Sequence, residues 1–237
     1  MQQGVLYIVN NNSVILEECL HSLASLRKHS PGVQACLITN TELPYSVKKQ
    51  FDHFILKNEK IHPLKAKVKW MMDSPFDTTL FLDADTEIRK DIRELFSAKE
   101  TFAFAFDNLC DWKSQPPVFI AQESTDINTG LVLYKKNEES NSILQAWFKV
   151  VELEDESRMK PGHFCDQVHF NLSIFSQLKE KGISFKILDN KIYNVRPWCW
   201  NSLKSTGEWN AIRIAHAHHL NHGLFQKIKM KWKDIFK

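Results

Sequence analysis

Asp83 and Asp85 are spaced i, i+2 and follow the apolar run Thr78-Thr79-Leu80-Phe81-Leu82. In an extended chain, residues two apart project to the same side, so both carboxylates can offer oxygen to one hard cation. Placed at the end of a strand, the pair repel each other unless a cation or a donor compensates. A solvated acidic loop is the plain alternative. Other groups able to do chemistry are a histidine cluster from His216 to His222, an Asp166-Gln167 pair, three lysines at 65, 67 and 69, and the asparagines Asn10, Asn11 and Asn12.

The elements that must position these groups can be read from periodicity and breakers. Gly4 to Val9 is a compact apolar run, expected as a buried first strand ending in the asparagine loop. Ser13 is the expected N-cap of a helix to about His29, and Val33 to Ile38 is a second strand, completing a strand, helix, strand unit. Phe51 to Leu56 is a third strand. A helix follows Pro63 to about Met72, and Thr78 to Leu82 then leads into the acidic pair. The carboxyl ends of strands are where open α/β sheets collect ligands.

Further along, Phe102 to Phe106 and Ile127 to Tyr134 are expected strands, the second interrupted by Gly130. Helices are expected over Glu138 to Leu153 and Cys165 to Leu178, around a polar stretch from Glu154 to Gly162. Ser184 to Leu188 and Ala211 to Ala215 are the expected late strands. Gly130 fits either an ordinary bulge or a backbone brought close to a ligand. Asp166 and Gln167 start a helix, where a carboxylate is favoured and where Asp166 could equally serve as a first-turn acid.

Composition limits the function classes. The 237 residues carry 31 Lys+Arg against 28 Asp+Glu, a net charge of +3, which does not describe a dedicated nucleic-acid binder. Hydrophobic residues make up 43% and charged residues 25%, so the chain can bury a core. With 7 Gly, and with neither GxGxxG nor GxxxxGK[ST], no Gly-rich loop is available to cradle phosphate. The five cysteines are scattered without a CxxC pair and read as reduced, mostly buried thiols. The N-terminus lacks the basic start and apolar stretch of a signal peptide, and no apolar run approaches the ~18 residues of a membrane span. The expected address is cytoplasmic.

Two families use an acidic pair after an apolar strand. Haloacid-dehalogenase-like phosphatases place Thr or Val at the fourth position after the first Asp, which here is Glu87, and Thr86 comes one residue early. The stretch SPFDTTLFLDADTEI (Ser74 to Ile88) more closely resembles the core of GT-A glycosyltransferases, especially the glycogenin- and galactosyltransferase-like branches. INTGLVLY (Ile127 to Tyr134) is similar to that family's strand beside the donor sugar, and CDQVHFN (Cys165 to Asn171) to its DQ-x3-N helix start. AIRIAHAHHLNHG (Ala211 to Gly223) resembles its closing strand, which carries a metal-binding histidine. The family's usual ending, His-x-x-Gly followed by Lys-Pro-Trp, is altered: Leu220 stands three residues before Gly223, and no Lys-Pro-Trp follows.

The resemblance implies a single α/β GT-A (Rossmann-like) domain over 1–223, with a mixed, mostly parallel sheet flanked by helices. It implies a metal-dependent transferase that uses a nucleotide-diphosphate sugar, with a UDP-sugar expected, on a glycan, lipid or protein acceptor of unknown identity. Mn²⁺ or Mg²⁺ would sit on Asp83, Asp85 and a histidine, His216 first and His218 second. Val9, Asn10 and Asn11 would meet the base and ribose, and Lys67 the diphosphate. Ala84, Asn128 and Gly130 would line the donor, while Asp166 and Gln167 would face the sugar as catalytic groups for an inverting or a retaining reaction. Trp198 and Trp200, from an aromatic-rich segment, are the acceptor-side candidates, since flat indole faces suit sugar C–H surfaces; core packing is the commoner fate of such residues. The tail 224–237 carries an apolar face bordered by lysines. That pattern fits either an interfacial helix giving peripheral membrane contact or a helix docked on its own domain. A haloacid-dehalogenase-like phosphatase with Asp83 as nucleophile, a nucleotidyltransferase and a non-catalytic nucleotide-sugar-binding module remain the alternatives.

Overall fold

The computed structural model describes residues 2–111, 118–120, 126–159 and 165–217. In chain order the strands are β1 (Gln3–Val9), β2 (Gln34–Thr39), β3 (His53–Leu56), β4 (Thr78–Leu82), β5 (Thr86–Ile88), β6 (Phe102–Phe106), β7 (Leu109–Asp111), β8 (Val118–Ile120), β9 (Ile127–Lys135), β10 (Phe185–Leu188) and β11 (Ile214–His216). The helices are α1 (Ser13–His29), α2 (Tyr45–Lys48), α3 (Pro63–Met71), α4 (Glu138–Glu152), α5 (Asp166–His169), α6 (Phe175–Glu180) and α7 (Trp200–Ser205). Seven strands form one sheet in the order β10-β6-β9-β4-β1-β2-β3. It is mixed and mostly parallel: β9 alone runs against its neighbours β4 and β6.

The sheet is covered on both faces, which is why its strands read as near-continuous apolar runs. Alternation along β1 sends Val5, Tyr7 and Val9 to a cluster shared with Cys19, Leu23 and Leu26 of α1. It sends Leu6 to the other cluster, which holds Trp70 of α3, Trp147 of α4 and Phe170. Four cysteines, Cys19, Cys36, Cys165 and Cys199, are free and buried, as their scatter implied. No helix among the described residues is long and apolar enough to cross a membrane.

Three local expectations are corrected. Asn12, not Ser13, caps α1: its extended backbone lets its side-chain oxygen accept from the amides of Val14 at 3.0 Å and Ile15 at 3.2 Å. The helix expected over Cys165 to Leu178 is broken into α5, a π turn over Phe170–Ile174, and α6. The strand expected over Ala211 to Ala215 starts later, after a 3₁₀ turn at Glu208–Ala211, because β11 is defined by antiparallel pairing with β5. His218 and the tail 224–237 lie outside the described residues.

Two features aim the functional end of the sheet. Because β9 is antiparallel to β4, its first residues lie beside the carboxyl end of β4, with Leu82 opposite Leu131. The pairing of β6 with β9 also jumps, from Phe104 opposite Val132 to Ala105 opposite Asn128. Residues 129–131 therefore bulge, a device that re-aims side chains at a sheet end.

Candidate metal centre and active site

Asp83 leaves the end of β4 with its amide donating to the Gly130 carbonyl at 2.8 Å, which fixes where the acidic turn begins. The next residues form β5, and β11 pairs with it so that His216 stands opposite Thr86. The Ala217 amide donates to the Asp85 carbonyl at 2.8 Å and closes this short ribbon over the turn. His216 Nε2 thereby comes within 3.1 Å of Asp85 Oδ1 and 3.8 Å of Asp83 Oδ2. One ligand atom from each of Asp83, Asp85 and His216 lies within 4.8 Å of the others. Of the two candidate histidines, His216 is placed with the carboxylates, and His218 lies outside the described residues.

Gly130 is what lets them meet. A Cβ at this position would stand 2.3 Å from His216 Cε1 and 2.8 Å from Asp83 Oδ2, so no larger residue fits without displacing the cluster. The turn is also braced from below by a chain of hydroxyls. Thr86 Oγ1 donates to the Asp83 carbonyl at 2.9 Å, and Ser22 of α1 links Thr86 at 2.9 Å to Tyr7 at 3.0 Å.

The three lysines divide between the faces of α3. Lys65 pairs with Glu156 at 3.3 Å and Lys69 with Glu59 at 2.5 Å, neither of them with the acidic turn. Lys67 is buried, with its ammonium 2.8 Å from Asp166 Oδ2, 3.0 Å from Asp83 Oδ1 and 3.4 Å from Thr129 Oγ1. Burial opposes its charge, but the Asp166 and Asp83 carboxylates outweigh that effect and hold its pKa above the ordinary lysine value. Thr129 Oγ1 donates to the same Asp166 oxygen at 2.7 Å. Lys67 therefore ties the acidic turn to the start of α5.

Beside this charged group runs a row of amides. Asp107 follows β6 and accepts from Asn128 Nδ2 at 3.1 Å and from Gln167 Nε2 at 3.3 Å. Gln167 Oε1 accepts from the Thr129 amide at 3.4 Å, and Asn128 Oδ1 from the Gly130 amide at 2.9 Å. In the π turn, Asn171 accepts from the Ile127 amide at 2.7 Å and donates to the carbonyls of Ile127 and Gln167, both at 2.9 Å, pinning the entry to β9. Asp107, Thr129 and Asn194, a partner of His216, were not singled out in the sequence. Asp107 carried a usable signal in its place just beyond an apolar strand, and Thr129 one in the Asn-Thr-Gly run, whereas Asn194 carried none.

The remaining candidates lie apart from the carboxylate and histidine cluster. Asn10 donates to the Ile61 carbonyl at 2.8 Å, and Asn11 takes a left-handed backbone (φ 44°) after the buried Val9 at the end of β1. They share the sheet end with Asp83, but Asn10 touches the loop after β3 and Asn11 Oδ1 accepts from Thr41 Oγ1, in the loop after β2, at 3.5 Å. Ala84 is buried between the two aspartates. Trp198 donates to the Asn108 carbonyl at 2.9 Å, next to Asp107, and Trp200 packs edge-to-face on Trp209 with ring centroids 5.6 Å apart. Both half-buried indoles cover a small cluster of Val195, Cys199, Leu203, Ile212 and Ala215.

No family model matches this sequence, and no curated protein sequence matches it. Solved structures do match in fold. GlyE, a glycosyltransferase of Streptococcus pneumoniae TIGR4, superposes with a TM-score of 0.63 at 16% identity, over 98% of this chain and 60% of that one. Mouse xyloside xylosyltransferase 1 gives 0.55 at 14% identity, over 94% of this chain and 100% of that one. A glycosyltransferase involved in glycosylation of the major capsid of PBCV-1 gives 0.54 at 12% identity, covering 91% and 93%. This chain spans about 60% of the length of GlyE. The mixed seven-stranded sheet flanked by helices is the GT-A fold of the glycosyltransferases, and the chain has that fold.

Proposed function

We propose that this chain is a metal-dependent glycosyltransferase that moves a sugar from a nucleotide-diphosphate sugar, with a UDP-sugar as donor, to an acceptor hydroxyl. The observation that carries the reading is the convergence of Asp83, Asp85 and His216 at the ligand-collecting end of a glycosyltransferase fold. Two carboxylates and one imidazole make an oxygen-rich donor set suited to Mn²⁺ or Mg²⁺. The local charge also favours a cation, because Asp83 and Asp166 share the ammonium of Lys67 while the third carboxylate, Asp85, lies against His216. An ion held there would supply positive charge to the diphosphate oxygens as the bond from sugar to phosphate breaks.

The chain's own residues have separable tasks in this scheme. Lys67 keeps its charge beside Asp83 and adds a second positive group near the leaving diphosphate. Asp166 spends its inner oxygen on Lys67 and Thr129, which supports a role in fixing Lys67 over one as a freely accepting base. Gln167, with Asp107 and Asn128, offers donors and acceptors to sugar hydroxyls. Trp198, anchored beside this row, is the acceptor-side surface.

The test is sugar release from UDP-sugars with and without Mn²⁺, in the wild type and in Asp83→Asn and Asp85→Asn. Both substitutions should abolish the metal-dependent reaction; full activity in both would remove the proposal. Metal-dependent donor binding without release, across acceptors, would instead identify a non-catalytic binding module. An aspartyl-phosphate trapped at Asp83 would identify a phosphatase.

A further inference from the structure

We infer that Asn194 is the positioning residue for the metal ligand His216: its side-chain oxygen accepts from Nδ1–H and so leaves Nε2 as the atom that faces the cation. The inference rests on the metal-dependent reading above and adds to it a residue from outside every motif discussed so far.

Asn194 Oδ1 lies 2.6 Å from His216 Nδ1, and both side chains are buried, at 1% and 3% exposure. A side-chain amide oxygen can only accept, so in this pairing the proposed tautomer carries its proton on Nδ1. The lone pair of a neutral ring is then on Nε2, the nitrogen that approaches Asp85 and Asp83. The opposite orientation of the amide would place its NH₂ on Nδ1, put the ring proton on Nε2 and close that atom to a metal. With its oxygen toward the ring, Asn194 Nδ2 is buried without a hydrogen-bond partner among the described residues. Ligating histidines commonly donate their second nitrogen to a fixed acceptor, which sets tautomer and ring orientation.

The backbone is shaped for the same end. Asn194 has a φ of 63°, in the left-handed region that asparagine tolerates better than most residues. Its successor Val195 is locked to β11 on both sides, its amide donating to Ile214 O at 3.0 Å and its carbonyl accepting from the His216 amide at 2.9 Å. The left-handed turn thus delivers the amide to His216 from a segment registered against the strand that carries the histidine.

The experiment measures Mn²⁺ binding to the full chain, without sugar donor, from the EPR signal of free aquo Mn²⁺. Asn194→Gly keeps the left-handed backbone at no steric cost and removes the acceptor; it should weaken binding by about ten- to a hundredfold. Asn194→Asp, which keeps an acceptor and removes the unpartnered NH₂, should restore affinity to within a few fold of wild type. In a His216→Gln background, Asn194→Gly should have no further effect, because the residue acts through the imidazole. Unchanged affinity in Asn194→Gly, or an equal loss in the His216→Gln background, overturns the inference and leaves the metal site standing. A wild-type chain that fails to bind Mn²⁺, alone or with UDP, overturns the metal-dependent reading and this inference with it. Intact binding and coupling without turnover of any nucleotide sugar would remove the proposed activity alone.

Discussion

Gly130 separates two regions of opposite chemistry. On the cation side, Lys67, Asp85, Asp166 and His216 are charged or chargeable and 9%, 7%, 4% and 3% exposed. On the other side, Asp107, Asn128 and Gln167 form a row held by amide hydrogen bonds at 2.9 to 3.4 Å, with Asp107 and Gln167 half-exposed. Charges taken out of water must be matched, because removing one partner strands the other in a medium that solvates it poorly. Half-exposed polar groups such as Asp107 and Gln167 can exchange a lost protein partner for water at modest cost. The cation side should therefore behave as an all-or-none unit, and the amide side as a set of separable contacts.

The largest break in that contrast is Lys67→Met. It strands the Asp83 and Asp166 carboxylates and should destabilise the metal-free protein by about 3–5 kcal/mol in urea denaturation; a loss under about 1 kcal/mol would mean that the cation side is not a coupled unit. Next is Gly130→Ala, whose methyl collides with His216 and Asp83. It should cost about 1–3 kcal/mol and also weaken Mn²⁺ binding, since relief requires the ligands to separate. Asp107→Asn tests the amide side. It should lower stability by only about 1 kcal/mol and leave Mn²⁺ affinity unchanged while raising the KM for the sugar donor, read from paired calorimetry and kinetics.

The smallest effect belongs to the outer face of α3. Glu59 accepts from Lys69 and from Trp70 Nε1, both at 2.5 Å, and the Lys69 hydrogen bond followed by that of Trp70 holds its pKa below the ordinary value. A depressed carboxyl pKa gives stability that is present above the unfolded-state value and is lost as pH falls through the folded-state value. Glu59→Gln should thus lower stability at neutral pH by no more than about 1 kcal/mol and flatten its acid dependence. Thermal melts from pH 7 to pH 3 would show this; an undiminished acid slope in the variant would place the titration elsewhere.

The legibility of the molecule follows the same division. Asp83 and Asp85 could be found because period-two geometry and an apolar strand before them are both local properties. β1, β4 and β6 were readable for the same reason. Among the lysines, spacing alone puts Lys65 and Lys69 on one side of a helix and Lys67 on the other, but not which side is inward. The burial of Ala66, Val68 and Trp70 against the sheet decides that. β5 escaped notice because three residues carry no measurable period, and the π turn because nothing local in Phe170–Ile174 demands it. Asp107 carried the same end-of-strand signal as the acidic pair, but as a lone carboxylate it had no second group to make it stand out.

The sequence by itself determined the compact apolar runs that become β1, β4, β6 and β9, the strand end that carries Asp83 and Asp85, and a glycine within a later strand. These depend on interactions between residues a few positions apart, which propensity and periodicity record. The sequence could name His216 as a ligand, but only the tertiary structure brought it against Asp85, turned Lys67 inward and set Asn194 beside the imidazole. Each of those choices joins segments distant in the chain, and their partners are selected by sheet register and shared burial, neither of which is written in the neighbouring residues.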